Sequence, residues 1–154
     1  MADLVRDRNL SCARRTADER INSDTRIYMA DTLGETGTWY ALTPLVFLGG
    51  SLLPIGGHNP FEPAALGSAI LHGPHVDSAR EVYDMLATAG AAREVSDPRE
   101  LAAAVIDLLE PQNAAAMAHA SPAQKRGANG YKGTGQHDQG LADHPRATSF
   151  RHCL

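Results

Sequence analysis

The sequence has little of what marks disulfide-rich, membrane-spanning or nucleic-acid-binding proteins. Its two cysteines, Cys12 and Cys153, lie near opposite ends and outside any Cys-x-x-Cys pattern, which argues against a disulfide framework or a zinc site. No apolar run approaches the roughly 18 residues of a membrane-spanning helix, and residues 1–15 lack the apolar core of a signal peptide. The net charge of -4 has the wrong sign for binding nucleic-acid phosphates. We therefore expect a soluble cytoplasmic chain with no nucleic-acid partner.

Charge and apolar content change sharply near residue 110. Residues 1–110 carry a net charge of -7, whereas residues 111–154 carry +3. From Ser121 onward there is no isoleucine, valine or methionine, so this stretch cannot bury enough apolar surface to offset its ordering entropy. We predict a low-complexity, disordered tail over residues 111–154, whose histidines are solvated and bind no metal. Residues 1–25 are predicted to be an irregular segment, which leaves residues 26–110 as the one globular domain.

Within residues 26–110, short apolar runs alternate with helical patterns. Strands are predicted at residues 26–29, 45–48, 69–71 and 92–95. Helices are predicted at about residues 31–42, 60–66, 78–89 and 98–109, from capping residues at their starts and apolar spacing near 3.6. This alternation predicts an α/β fold with an open parallel sheet. Ligands of such sheets bind beyond the carboxyl ends of the strands, where three loops carry unusual residues.

The first and third of these loops each allow two interpretations. At Asp31–Glu35 a strand meets a helix start, whose backbone N–H groups suit a phosphate or carboxylate. Alternatively, Thr32 and Glu35 form a capping box. In the third loop, His72 and His75 are either metal ligands or, as we favour, a pair at the solvent edge.

The second loop carries the strongest signal. Two glycine pairs, Gly49-Gly50 and Gly56-Gly57, let the backbone approach a ligand, and the second leads to a helix start capped by Asn59. The loop suits a phosphate but matches neither the Walker A nor the dinucleotide pattern. Glu62, in the first helical turn, is placed either to accept hydrogen bonds from a ribose diol or to close a capping box with Asn59.

These loops together resemble one family. The segments Asp31–Glu35, Phe47–Leu52, Gly56–Ala65 and His72–His75 have the order and spacing found in the C-terminal domain of the 3-deoxy-D-manno-octulosonic acid (Kdo) transferases of lipopolysaccharide synthesis. The resemblance covers about residues 26–109, and Gly-Gly-His-Asn-Pro-x-Glu-Pro-Ala is its most specific part. It implies a Rossmann-like domain, the C-terminal half of a two-domain GT-B glycosyltransferase, which holds the CMP part of the donor CMP-Kdo.

The resemblance also implies roles for individual residues. According to the resemblance, seven residues bind CMP: Leu33, Gly34, Glu35, Asn59, Pro60, Phe61 and Glu62. The supporting loop comprises Gly49, Gly50, Ser51, Gly56, Gly57 and His58. No metal or cofactor is implied. The family's catalytic glutamate lies in an N-terminal domain outside this sequence, so no catalytic residue is assigned here.

The implied reaction is transfer of Kdo from CMP-Kdo to the lipid A precursor, lipid IVA. The intact enzyme would act at the cytoplasmic face of the bacterial inner membrane, in peripheral association with it. We expect the present chain to hold only the donor-nucleotide half, as a truncated or frameshifted product would, and to show no turnover alone. The alternatives are a non-catalytic nucleotide-binding module and a GT-B transferase for another nucleotide sugar, since the same loop chemistry serves UDP and CMP.

Overall fold

The computed structural model describes residues 2–123, which divide into two compact units between residues 34 and 35 of the sequence. The first unit contains α1 (Ala2–Arg6), β1 (Cys12–Arg14) and β2 (Ile27–Met29). The second contains α2 (Thr36–Leu42), β3 (Leu45–Leu48), α3 (Phe61–Ala65), β4 (Ala69–His72), a 3₁₀ turn (Asp77–Ala79), α4 (Arg80–Thr88), β5 (Ala92–Glu94), α5 (Pro98–Leu108) and α6 (Pro111–Ala120). None of the helices in this range has the length and apolar character to span a bilayer.

The first unit is built on a two-stranded parallel sheet. β1 pairs with β2 in the register Cys12 to Ile27 and Arg14 to Met29. The strand predicted at residues 26–29 is therefore present, but the segment expected to be irregular, residues 1–25, supplies its partner. A three-residue strand is too short to show an apolar period, which is why the sequence did not reveal β1. The predicted boundary at residue 25 consequently falls inside a paired sheet.

Asp31 was expected at the start of a helix, but its carboxylate instead binds Arg14 and Thr16. Its carboxylate accepts hydrogen bonds from the Arg14 guanidinium at 2.7 and 3.0 Å, and from the Thr16 amide and hydroxyl at 2.9 and 2.8 Å. These donors, the Thr16 amide first, hold the pKa of Asp31 well below its usual range. The helix expected from about residue 31 begins only at Thr36, with Glu35 at its N-cap position. The predicted start of this helix is therefore about five residues too early.

The second unit contains three of the four predicted strands in one parallel sheet, whereas the strand predicted at residues 26–29 pairs in the first unit. Its strand order is β3-β4-β5, with both pairs parallel. All four residues of the central strand β4 are buried, whereas the outer strands are only partly covered. The α/β parallel fold is confirmed.

Helices cover both faces of this sheet. Ile70 and Leu71 are adjacent in β4 and therefore point to opposite faces. Ile70 packs in one apolar cluster with Tyr83 and Leu86 of α4, and Leu71 packs in another with Leu108 of α5. The sheet is thus the middle of three layers, and its carboxyl edge remains available for loops.

Residues 111–123 differ from the predicted tail. They include α6, which contacts β4 and α5 and buries Ala114 and Ala118, while Ser121 and Ala123 are buried beyond its end. Alanine-rich helices pack closely through small side chains, so the absence of large branched residues did not prevent burial here. His119 lies in α6 and is exposed, whereas the rest of the predicted tail, residues 124–154 with its three histidines, lies outside the described residues.

Candidate functional site

The loops that follow β3 and β4 meet at the carboxyl edge of the three-stranded sheet, and Ser51 joins them. Its side chain is fully buried. The hydroxyl donates to the Leu48 carbonyl at 2.5 Å and accepts from the Gly73 amide at 2.8 Å. The Ser51 carbonyl also accepts from the His75 amide at 2.9 Å. Ser51, predicted as part of a supporting loop, therefore ties the second loop to the third.

Two glycines make this close approach of the loops sterically feasible. A Cβ on Gly73 would overlap the backbone carbonyl of Ser51. Gly57 has a φ of +68°, and a Cβ there would lie 3.1 Å from the His75 carbonyl oxygen. The sequence singled out Gly57 by its Gly-Gly pair, whereas the need for glycine at position 73 becomes clear only from the packing.

The Gly56–His58 segment is held from one side by the helical segment that begins at residue 77. Ser78 Oγ donates to the Gly56 carbonyl at 2.6 Å and to the Gly57 carbonyl at 3.3 Å. Tyr83 Oη donates to the His58 carbonyl at 2.8 Å. The sequence analysis predicted only a helix over about residues 78–89, so it missed both roles.

The next residues lead into α3. Asn59 Oδ1 accepts from the Phe61 amide at 3.0 Å. The N-cap position of α3 is Pro60 and not Asn59, so the helix begins one residue later than predicted. Pro60 is buried and Phe61 is partly exposed. Glu62 is exposed and, among the described residues, accepts no hydrogen bond from Asn59. The capping-box alternative for Glu62 is therefore absent, and its carboxylate faces solvent.

Glu62 also lies beside α2. A Cβ on Gly37 would lie 3.1 Å from Glu62 Oε1. Burial raises the pKa of Tyr40, and the negative charge of Glu62 contributes to the increase. Five of the predicted CMP-binding residues belong to the second unit, in which α2 and α3 are in contact: Glu35, Asn59, Pro60, Phe61 and Glu62. The other two, Leu33, which is fully exposed, and Gly34, with a φ of +83°, belong to the first unit.

His72 is not at the solvent edge, as the sequence analysis favoured. Its side chain is 3% exposed, packs against the Tyr83 ring with a centroid separation of 4.4 Å, and has Nδ1 2.8 Å from the Gly73 carbonyl oxygen. That prediction was wrong because His72 ends the central strand of the sheet, while His75 is only partly buried. Over residues 2–123, no three histidine, cysteine, aspartate or glutamate side chains are grouped to hold a metal ion.

Comparison with known proteins finds partial matches to Kdo transferases. No protein-family model matches the chain. It is 35% identical over 86 residues to a 3-deoxy-D-manno-octulosonic acid transferase of Haemophilus influenzae, covering 56% of this chain and 20% of that protein. It is 40% identical over 78 residues to a probable mitochondrial 3-deoxy-D-manno-octulosonic acid transferase of Arabidopsis thaliana, covering 49% and 17%. The crystal structure of the C-terminal CMP-Kdo binding domain of WaaA from Acinetobacter baumannii superposes with a TM-score of 0.65 at 30% identity, covering 77% of this chain and 65% of that one.

The chain is similar in sequence to Kdo transferases, and in sequence and fold to the CMP-Kdo binding domain of one of them. The resemblance predicted from the loop motifs and the α/β fold class are thereby confirmed. The chain spans about a fifth of the length of the curated relatives named above, 20% and 17%. Its match to the C-terminal CMP-Kdo binding domain of one Kdo transferase indicates which part of the family architecture it represents. The individual CMP contacts assigned above stay predictions.

Proposed function

We propose that this chain is the donor-nucleotide domain of a Kdo transferase and binds the CMP moiety of CMP-Kdo. The observation that carries the proposal is the match, at 30% identity and a TM-score of 0.65, to a domain described as CMP-Kdo binding. The carboxyl edge of the parallel sheet, where this chain concentrates its glycine loops, is also where ligands of open α/β sheets bind.

The chemistry of the Gly56–Glu62 segment supports this proposal. Within residues 2–123, the amides of His58 and Asn59 have no hydrogen-bond acceptor, so they are free to donate to phosphate oxygens. Glu62 presents an exposed carboxylate on the next turn, and a carboxylate can accept hydrogen bonds from both hydroxyls of a ribose. The segment therefore offers donors for a phosphate and an acceptor for a sugar, which are the two polar parts of CMP.

In the reaction that we propose for the whole enzyme, an acceptor hydroxyl attacks the anomeric carbon of Kdo. The new bond joins the acceptor oxygen to that carbon, the bond from the carbon to the phosphate oxygen breaks, and CMP leaves with the bonding electrons. A general base takes the hydroxyl proton. We propose that this base is a glutamate of another domain and that the present chain stabilises the charge on the departing phosphate through backbone amides.

We further propose that the acceptor is the lipid A precursor, lipid IVA, and that the whole GT-B enzyme acts at the cytoplasmic face of the inner membrane. This part of the proposal rests on the resemblance of the loops to the family. It is tested by joining this chain to the N-terminal domain of a relative and assaying Kdo transfer to lipid IVA in the presence of membranes. A chimera that folds and binds CMP-Kdo but transfers Kdo only to another acceptor would contradict the assignment of lipid IVA.

The donor assignment is tested by calorimetric titration of CMP into the full chain. We expect saturable binding, an affinity at least tenfold lower in Glu62→Ala, and weak competition by UMP. Glu81→Ala is the matched control, because Glu81 is an exposed carboxylate in the first turn of α4, as Glu62 is in α3. A folded chain that does not bind CMP would refute the proposal, and tighter binding of UMP would favour a transferase for another nucleotide sugar.

A further inference from the structure

We call the loop of residues 49–60 the glycine loop. Three of its consecutive carbonyl groups are bound by side chains of a single helical segment. Ser78 Oγ reaches the carbonyls of Gly56 and Gly57, and Tyr83 Oη reaches that of His58. The Ser78 amide adds a bond to the Gly56 carbonyl at 3.4 Å. Both side chains come from residues 77–88, the first helical segment after β4. We call this set of bonds the carbonyl clamp.

The clamp determines where the amides of the loop point. In a planar trans peptide the N–H lies on the side opposite to the carbonyl of the preceding residue. Binding the Gly57 and His58 carbonyls toward α4 therefore turns the amides of His58 and Asn59 away from α4. The Gly57 amide, from the peptide that begins at Gly56, donates to the Gly50 carbonyl at 3.0 Å. The two amides without an acceptor in residues 2–123 are thus the ones that the clamp orients.

The glycine loop needs such a restraint. Gly56 has a φ of +103° and Gly57 a φ of +68°, and glycine loses more conformational freedom on ordering than any other residue. Tyr83 is itself well held, because its side chain is 2% exposed and its ring packs on His72. Burial raises the pKa of Tyr83 to about 12, so its hydroxyl remains a donor throughout the neutral range.

We propose that Ser78 and Tyr83 are positioning residues of the nucleotide site, which orient the amides of His58 and Asn59 toward the phosphate of CMP without touching the ligand. This inference rests on the proposed function. It assigns a role in donor binding to the helical segment of residues 77–88, none of which was predicted to contact CMP.

The test compares chemically matched variants of the full chain in CMP titration. Ser78→Ala and Tyr83→Phe each remove one hydroxyl and keep the rest of the packing. Ser68→Ala is the control, because the Ser68 hydroxyl also donates to two carbonyls, those of Tyr40 and Thr43, each at 3.1 Å. Since one hydrogen bond contributes a factor of about 2–13, we expect each clamp variant to raise the Kd for CMP about three- to tenfold and the double variant more than tenfold. Ser68→Ala should leave the Kd unchanged.

A second measurement separates positioning from general loss of stability. Amide hydrogen exchange of the nucleotide-free chain should accelerate at Gly57 in the double variant Ser78→Ala/Tyr83→Phe and stay unchanged there in Ser68→Ala. An unaltered Kd in the double variant, while Glu62→Ala still weakens binding, would overturn this inference and leave the proposed function standing. Unaltered exchange at Gly57 would also overturn it. No CMP binding by the folded parent chain would overturn the proposed function, and this inference with it.

Discussion

At each end of strand β4 a buried serine hydroxyl bridges two backbone groups, but the loops beside the two ends differ greatly in length. At the amino end, the buried Ser68 hydroxyl donates to the Tyr40 and Thr43 carbonyls, and only residues 66–68 separate α3 from β4. At the carboxyl end, the buried Ser51 hydroxyl links Leu48 to Gly73. There the preceding strand β3 is followed by a loop of residues 49–60.

This difference separates a structural role from a functional one. The amino end closes short connections, so its hydroxyl only completes the hydrogen bonding of the fold. The carboxyl end holds a long glycine loop in one conformation, and there the same hydroxyl determines where ligand-binding groups lie. Substitutions at the two ends should therefore have similar effects on stability and different effects on CMP binding.

The largest effect should come from filling the gap between the two loops at the carboxyl end. Gly73→Ala places a methyl group on the Ser51 carbonyl, and both groups belong to the backbone, so the loops must separate. We expect the free energy of unfolding to fall by about 3 kcal/mol, measured by urea denaturation. Gly49→Ala is the control, because a Cβ there meets nothing within 4 Å. Equal stability of the two variants would show that the loops do not pack as described.

A smaller effect should follow from removing the hydroxyl at each end in turn. Ser51→Ala leaves the Gly73 amide buried without its acceptor, which should lower the free energy of unfolding by about 2 kcal/mol. Ser68→Ala should lower it by a comparable amount, about 1–2 kcal/mol, because it too is buried. Only Ser51→Ala should also weaken CMP binding. If Ser68→Ala weakened CMP binding equally, the contrast between the two ends would be invalid.

Much of the sheet could be predicted from the sequence, because the signals are local. The continuous apolar run at residues 45–48 and the run at residues 69–71 both form strands. Asp97 caps α5 at the start of the helix predicted from residue 98, accepting from the amides of Arg99 and Glu100 at 2.7 and 2.8 Å. A capping side chain and the amides that it binds are two or three residues apart, so the pattern is visible without knowledge of the fold.

What the sequence did not reveal depends on residues that are distant along the chain. Tyr83 and His58 are 25 residues apart, so no local motif announces their hydrogen bond. Gly73 must be glycine because of Ser51, 22 positions earlier. His72 was predicted to lie in the loop after a strand at residues 69–71, yet it belongs to the central strand. The order of strands in the sheet decides its burial, and that order is a property of the whole domain.

The smallest expected effect is a pH dependence that arises at the carboxyl end through His72. Burial lowers the pKa of His72; the Gly73 carbonyl and the charge of Glu94 oppose this effect, and the charge of Arg80 adds to it. The unfolded chain therefore binds a proton on this residue more readily than the folded one. The free energy of unfolding should fall as the pH drops below about 6.5, with a slope of at most about 1.4 kcal/mol per pH unit from this residue.

The variant His72→Phe isolates this contribution, because a phenyl ring can keep the packing against Tyr83 but cannot bind a proton. We expect the difference in unfolding free energy between the parent chain and His72→Phe to change between pH 7 and pH 5, with the parent losing more stability. Other titrating groups affect both proteins alike and cancel in this difference. Parallel pH profiles would mean that His72 takes up a proton equally well in the folded chain. The carboxyl end of β4 would then be as open to water as a solvent-edge pair of histidines requires.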